Sequence, residues 1–469
     1  MDVGCLAPWT SLSLDPRGEV RVCCQNQWLR LGNVAESSLA EIWNGPELAR
    51  LRARLRDGDF RLGCDECRIP IERGHPGTAF LHNYDHLVPA PGAEPPWPVQ
   101  LELALSNTCN LQCVMCNGEL SSAIRSQREH RPAMVSPYGA AFFEELEEFL
   151  LRIESVNFMG GEPFLARESL AVMERLVDLG LRPQVSVTTN GTIWNDRIAE
   201  LVALLGMEVA VSVDGRSDAV LERVRVGIDP TSFRANVERL RSAATAGGGR
   251  LRLLFSLLRA NWMELGAVLQ WGDDLDVDVG LNRVEHPLQH SLVHGPLDEL
   301  ERAVRGLEAD PVHQRLGRNR NVWERNLADL VALLDERRSG GTTVVAVPVP
   351  ARRAPVDEGS FRARVDADPN QVVISVTATG SAPPGLDLDR VVGESLWRLV
   401  DVLTGGLGDL VRSDMQQPGD GTGERHGFTF DAGGTCYELT AEVDADRDGS
   451  SCWRLELVEV EPDPGAHPT

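Results

Sequence analysis

No apolar run in this chain of 469 residues approaches the roughly 20 residues that a membrane-spanning helix needs. The opening Met1-Asp-Val-Gly-Cys5 has neither the basic nor the apolar region of a secretory signal, so a cytoplasmic protein without membrane contact is expected. Basic residues are the next shortage: 46 Lys and Arg stand against 70 Asp and Glu, for a formal net charge of −24. Broad contact with a nucleic-acid backbone needs a basic footprint, so no nucleic-acid partner is expected. The acidity itself sets solubility and names no partner. Nor do the cysteines read as a disulfide framework, because eight of the ten fall in two patterns, 5–67 and 109–116. The length leaves room for two or three domains and a sizeable core.

What the chain does have is Cys109-Asn-Leu-Gln-Cys113-Val-Met-Cys116, three thiols spaced C-x3-C-x2-C after the strand-like run Val99 to Leu105. Four cysteines fill every iron position of a [4Fe–4S] cluster. Three leave one iron free to hold something that reacts. A structural zinc site wants a fourth Cys or His close by, and the nearest downstream histidine, His130, lies in a polar, Pro-interrupted stretch. Three short strand patterns then end in turn-forming residues: Val156-Asn-Phe-Met-Gly160-Gly161-Glu162-Pro163, Val185-Ser-Val-Thr-Thr189-Asn190-Gly191 and Val209-Ala-Val-Ser212-Val-Asp214-Gly215. Taken singly, each reads as a turn. In this order and with helical spacing between them, the cysteine triplet and the three strand ends resemble the radical S-adenosylmethionine (SAM) enzymes, over about residues 99–290.

That resemblance implies a [4Fe–4S] cluster on Cys109, Cys113 and Cys116, with SAM chelating the open iron. Reductive cleavage of SAM would give a 5′-deoxyadenosyl radical that takes a hydrogen atom from an unactivated C–H bond. The cofactor carries the hard chemistry, and the protein orients it and excludes water. Gly160, Gly161, Glu162 and Pro163 correspond to the element at the methionyl amino group, where glycine permits close approach. Gly161→Val is therefore expected to spare iron and weaken SAM binding. Thr189 and Asn190 correspond to a second element, and Ser212 and Asp214 to one along the ribose and carboxylate. Arg225 stands where relatives face the SAM carboxylate. Met115 replaces an aromatic residue common in relatives, and a thioether also packs against adenine. A flavodoxin- or ferredoxin-type donor is the implied electron source.

Towards the N-terminus, Cys5-Leu-Ala-Pro-Trp9 precedes Asp15-Pro-Arg-Gly18-Glu-Val-Arg-Val-Cys23-Cys24, a turn between two short strands, and Cys64-Asp-Glu-Cys67 closes the stretch. This resembles the auxiliary-cluster modules named twitch and SPASM, the shorter twitch more closely. It implies a second [4Fe–4S] cluster on Cys5, Cys23, Cys64 and Cys67. Two single cysteines and a C-x2-C pair also suit tetrahedral zinc. Such modules usually follow the barrel, whereas here the module precedes it. Cys24 is left over as a spare thiol, an alternative ligand or a hydrogen-atom donor.

Composition divides the chain into the cysteine module at 1–88, a Pro-rich linker at 89–98, a partial barrel at 99–337 and an α+β domain at 343–469. Six strands near 99–105, 155–159, 184–188, 208–213, 251–257 and 277–283 alternate with amphipathic helices. That pattern predicts an α/β partial (β/α)6 barrel, with its site at the C-terminal strand ends. In the last segment, runs at Val372, Phe428, Tyr437 and Trp453 alternate as strands, and Leu388 to Leu403 reads as a helix. Asp444-Ala-Asp446-Arg-Asp448-Gly449 opens like a calcium loop, but Leu455 stands at its twelfth position and a hairpin turn is expected. Cys436 and Cys452 read as packing residues. The implied reaction is hydrogen abstraction from a peptide or protein residue. The alternatives are oxidation or epimerisation of a sugar or cyclitol, and a non-catalytic iron–sulfur scaffold or electron carrier.

Overall fold

The computed structural model describes residues 4–26, 29–72, 76–89, 95–285 and 287–338, and the backbone strands 362–367, 373–379, 426–432, 435–445 and 451–460. By internal packing the chain forms two units. The first comprises Met1–Gln25, Arg30–Asp57 and Phe80–Ser339, and the second Asn26–Leu29, Gly58–Ala79 and Gly340–Thr469.

The six expected strands are present in the first unit at Gln100–Leu103, Ser155–Phe158, Gln184–Thr189, Glu208–Ser212, Arg250–Leu257 and Val279–Arg283. They lie side by side in chain order, all parallel. Unbroken order is what repeated βα units produce when every helix crosses to the same face, and it gives a barrel-like arc. Registers such as Leu101↔Val156, Val156↔Val185 and Val187↔Val209 stack β-branched and leucine side chains across the arc. Leu101, Val156, Val209, Leu253 and Phe255 are wholly buried there. The crossover helices include Ala140–Leu150, Arg167–Asp178, Asp196–Leu204 and Pro230–Ala246. Two of their starts are fixed by side-chain caps, Asn195 accepting from the Ile198 N–H and Asp229 from the Thr231 N–H.

Among the described residues the sheet continues past these six strands to nine. Ser11–Leu14 adds in parallel to Gln100–Leu103, and Glu19–Arg21 and Gly32–Asn33 follow antiparallel. The hairpin between Ser11–Leu14 and Glu19–Arg21 turns through Gly18 at φ +82°. The N-terminal cysteine segment thus extends the same sheet that carries the triplet loop.

In the second unit, helix Asp65–Glu72 carries Cys67, with Cys64 just before its start, and five antiparallel strands, 362–367, 373–379, 426–432, 435–445 and 451–460, form one sheet. Four of these five strands coincide with runs read from the sequence. The expected helix at 388–403, the core of the Pro-rich linker and most of the calcium-like turn lie outside the described residues. Among the described residues no helix is long and apolar enough to cross a membrane.

Candidate active site

The loop that leaves Gln100–Leu103 carries the cysteine triplet at the C-terminal end of its strand, and the three other strand ends converge on it. Its shape is set by local hydrogen bonds. Ser122 Oγ and the Cys109 backbone exchange two bonds, both at 3.1 Å. Ser121 Oγ donates to the Leu111 carbonyl at 2.7 Å, and Asn107 Nδ2 to the Gly118 carbonyl at 2.9 Å. Gln112–Cys113 then pairs antiparallel with Arg225–Val226, so that Cys113 stands opposite Arg225. Farther on, Glu119 gathers Arg17, Arg125 and Arg131 and ties this loop to the N-terminal hairpin.

The Glu162 carboxylate joins two of the strand ends. It is fully buried and accepts from Thr189 Oγ1 at 2.7 Å, the Asn190 N–H at 2.7 Å and the Phe164 N–H at 3.1 Å. Burial pushes its pKa up, and the hydrogen bonds that oppose the shift are these same contacts. Asn190 in turn donates through Nδ2 to Asn110 Oδ1 at 3.0 Å and towards Cys109 Sγ at 3.7 Å. On the other flank, wholly buried Asp214 forms an ion pair with Arg225 at 2.7 Å and accepts from the Ser256 N–H at 2.8 Å. The guanidinium also points Nη1 at Cys113 Sγ, 3.9 Å away.

The thiols of Cys109, Cys113 and Cys116 are half-buried and sense one another. Burial raises all three pKa values, that of Cys116 to about 12; neighbouring thiolates add to the shift at Cys113 and Cys116, and the Glu162 charge adds to it at Cys109. Arg225 opposes it at Cys113. Among the described residues no group of three or more His, Cys, Asp or Glu side chains is already drawn together as metal ligands. The three thiols are therefore neighbours on one loop rather than a finished cage. Their chemistry fits an iron–sulfur cluster with an open iron: three sulfurs, two of them facing buried N–H donors. Loading must displace their protons.

Gly160, at φ +103°, and Gly161 are already required by the chain itself. A Cβ on Gly161 would collide with the Thr108 carbonyl and lie 2.8 Å from the Asn107 carbonyl carbon, on the cysteine loop. Gly161→Val therefore does not isolate SAM binding. Even Gly161→Ala should strain this loop by about 1–3 kcal/mol and lower both the melting temperature and the iron content without SAM. Full iron at an unchanged melting temperature would disprove that contact. Met115, expected against adenine, packs on the apolar cluster of Val220, Val224 and Leu258. Pro163 is buried beside Glu162, and Ser212 lies half-buried at its strand end.

Cys5, Cys23 and Cys24 belong to the first unit, and Cys64 and Cys67 to the second. Asn26 Nδ2 donates to the Leu62 carbonyl at 3.0 Å and reaches towards Cys64 Sγ at 3.6 Å. Sequence reasoning missed Glu102 and Tyr84. Glu102 Oε1 accepts from the Tyr84 hydroxyl at 2.7 Å, and Oε2 accepts from the Cys24 N–H at 2.8 Å. The signal was a lone acidic residue inside the strand run from Val99 to Leu105.

Residues 103–250 match the Radical SAM superfamily, and residues 5–68 match SPASM, an iron–sulfur cluster-binding domain. The chain carries both domains. A [4Fe–4S] cluster and SAM are the cofactors of the first, and an auxiliary iron–sulfur cluster that of the second. A protein of Sulfurisphaera tokodaii named probable GTP 3′,8-cyclase is 27% identical over 190 residues, 40% of this chain and 56% of that one. One of the same name from Saccharolobus islandicus is 27% identical over 179 residues, 38% of this chain and 54% of the other. The chain spans about half the length of the curated relatives it matches. Among solved structures, anSMEcpe with bound AdoMet is 18% identical at a TM-score of 0.34, covering 44% of this chain and 58% of that one. Streptococcus suis SuiB bound to precursor peptide SuiA is 14% identical at 0.33, covering 55% and 61%.

Proposed function

We propose that this radical SAM protein cleaves SAM reductively on a cluster held by Cys109, Cys113 and Cys116, and abstracts a hydrogen atom from a peptide or protein residue. The observation that carries the proposal is the connected network at the strand ends. Glu162 binds the Thr189–Asn190 turn, Asn190 reaches Cys109, and Asp214 with Arg225 reaches Cys113. When bound, the cluster supplies one electron to the sulfonium of SAM and so generates the hydrogen-abstracting species. The chain's own residues fix the geometry of the loop. Glu162 locks two strand ends, Ser121 and Ser122 hold the loop, and the paired glycines let the backbones of 160–161 and 106–108 pass closely.

The auxiliary module, proposed to use Cys5, Cys23, Cys64 and Cys67, would take up the product radical's electron or orient substrate. A peptide substrate is supported by the additional five-stranded sheet, because a small molecule needs no docking module. A small-molecule substrate is the second reading, favoured by the curated relatives named as GTP cyclases.

The test is an anaerobic assay with dithionite and SAM. Peptides translated from short reading frames beside the gene are added in one arm, and GTP or simple sugars in the other. A peptide that stimulates 5′-deoxyadenosine release and changes mass is the expected result. Stimulation by the small molecules alone would overturn the peptide assignment.

A further inference from the structure

Arg225 is a buried cation on a two-residue strand, and every feature around it points away from bulk solvent. Its side chain is 7% exposed and that of Asp214 is 0% exposed. The backbone ladder sets Arg225 opposite Cys113, and the Val114 N–H bonds the Val224 carbonyl at 2.9 Å, so the guanidinium cannot drift along the loop. Asp214 is fixed from behind, since Ser256 N–H donates to its Oδ1 and Asn261 Nδ2 donates to its carbonyl at 3.0 Å. The two groups pair at 2.7 Å, and among the described residues Arg225 Nε is buried without a hydrogen-bond partner. Desolvating such a buried pair costs free energy that its mutual attraction repays only with excellent geometry and further hydrogen bonds. Among the described residues the guanidinium also points Nη1 at Cys113 Sγ, and the Cys109 and Glu162 charges lie within its reach.

We propose that Arg225, braced by Asp214, is a positioning residue that holds an N–H dipole and a positive charge against the Cys113 sulfur and thereby raises the reduction potential of the cluster. The inference rests on the assignment of Cys113 as a cluster ligand. The step is a one-electron reduction by an external donor, in which no bond forms or breaks. Hydrogen bonds to cluster sulfurs and local charge are known levers on such potentials. The reduced cluster is the more negative state, so a nearby cation stabilises it. Asp214 moderates that cation. The two residues therefore act in opposite directions, which a role in packing alone would not produce.

The reconstituted holoenzyme is poised through dye mediators without SAM, and the reduced cluster is followed by electron paramagnetic resonance. The signal to follow is the one that changes when SAM is added afterwards. Asp214→Asn keeps an acceptor for the Ser256 N–H, leaves the cation uncompensated and should raise the midpoint. The double variant D214N/R225Q removes both charges and leaves no lone buried ion. It should lower the reduced-to-oxidised ratio at the wild-type midpoint about tenfold, which is 59 mV for one electron. Arg225→Lys should recover part of the shift. Midpoints unchanged from wild type, or moved in the same direction by both variants, overturn the proposal. If the double variant fails to load iron, Asp214→Asn alone decides: a raised midpoint supports the proposal and an unchanged one overturns it. Failure of wild-type protein to hold iron at the triplet would instead sink the ligand assignment itself.

Discussion

Anaerobically reconstituted protein given dithionite and SAM will release 5′-deoxyadenosine, and Cys113→Ala will release none. Cys113 is the member of the triplet whose loss the fold should tolerate best. Its backbone pairs with Arg225, and the Val114 N–H and Val224 carbonyl continue the contact, none of which needs the thiol. Alanine also relieves a desolvated thiol rather than opening a large cavity, so the variant should remain folded. What disappears is one of three sulfurs, and a cluster with two protein ligands does not survive with a defined open iron. The effect belongs to chemistry and not to stability. A fall of a thousandfold already equals about 4 kcal/mol of barrier, and loss of the cluster should exceed that. Undiminished cleavage in a folded Cys113→Ala protein would sink the assignment of Cys109, Cys113 and Cys116.

Much of this arrangement is legible in the sequence because the barrel strands are short apolar runs that end in Gly, Asn or Asp. Runs such as Val185 to Thr189 and Val209 to Ser212 have no competing helical period, and the observed strands fall within a few residues of the expected ones. The partner choices within the site were not legible. Glu162, Asp214 and Arg225 carry charges that a ligand could have taken up, yet the structure spends them on Asn190, on each other and on Cys113. Nothing in a linear pattern says whether a buried charge is answered by the chain or by a cofactor. The strand Gln100–Leu103 misleads in another way. Its alternation of Gln, Leu, Glu and Leu suggests one face towards water, but all four residues are buried. Ser11–Leu14 pairs along one side, and Tyr84 and Cys24 close over Glu102. Those contacts join residues about 18 and 78 positions apart in the chain, beyond the reach of any local signal.

Iron counting should give the largest effect after loss of the triplet. If Cys5, Cys23, Cys64 and Cys67 hold a [4Fe–4S] cluster, wild-type protein will carry about eight irons, four for each cubane. A variant lacking Cys109, Cys113 and Cys116 should keep about half of them. Zinc in place of that residue of iron would give the module a structural role and remove it as an electron acceptor. Cys24 makes the count diagnostic. Its backbone N–H is held by Glu102, and its thiol is pushed far up by burial, with the Glu102 charge adding to the shift. The four cysteines named already complete a cubane without Cys24. Cys24→Ser should therefore leave the iron count unchanged, while Cys64→Ala and Cys67→Ala each should remove about four irons. Loss of the second cluster in Cys24→Ser would make Cys24 a ligand and displace one of the four named. Full iron with normal 5′-deoxyadenosine release but no finished product would make it the hydrogen donor, because only the step after abstraction would then need an S–H bond.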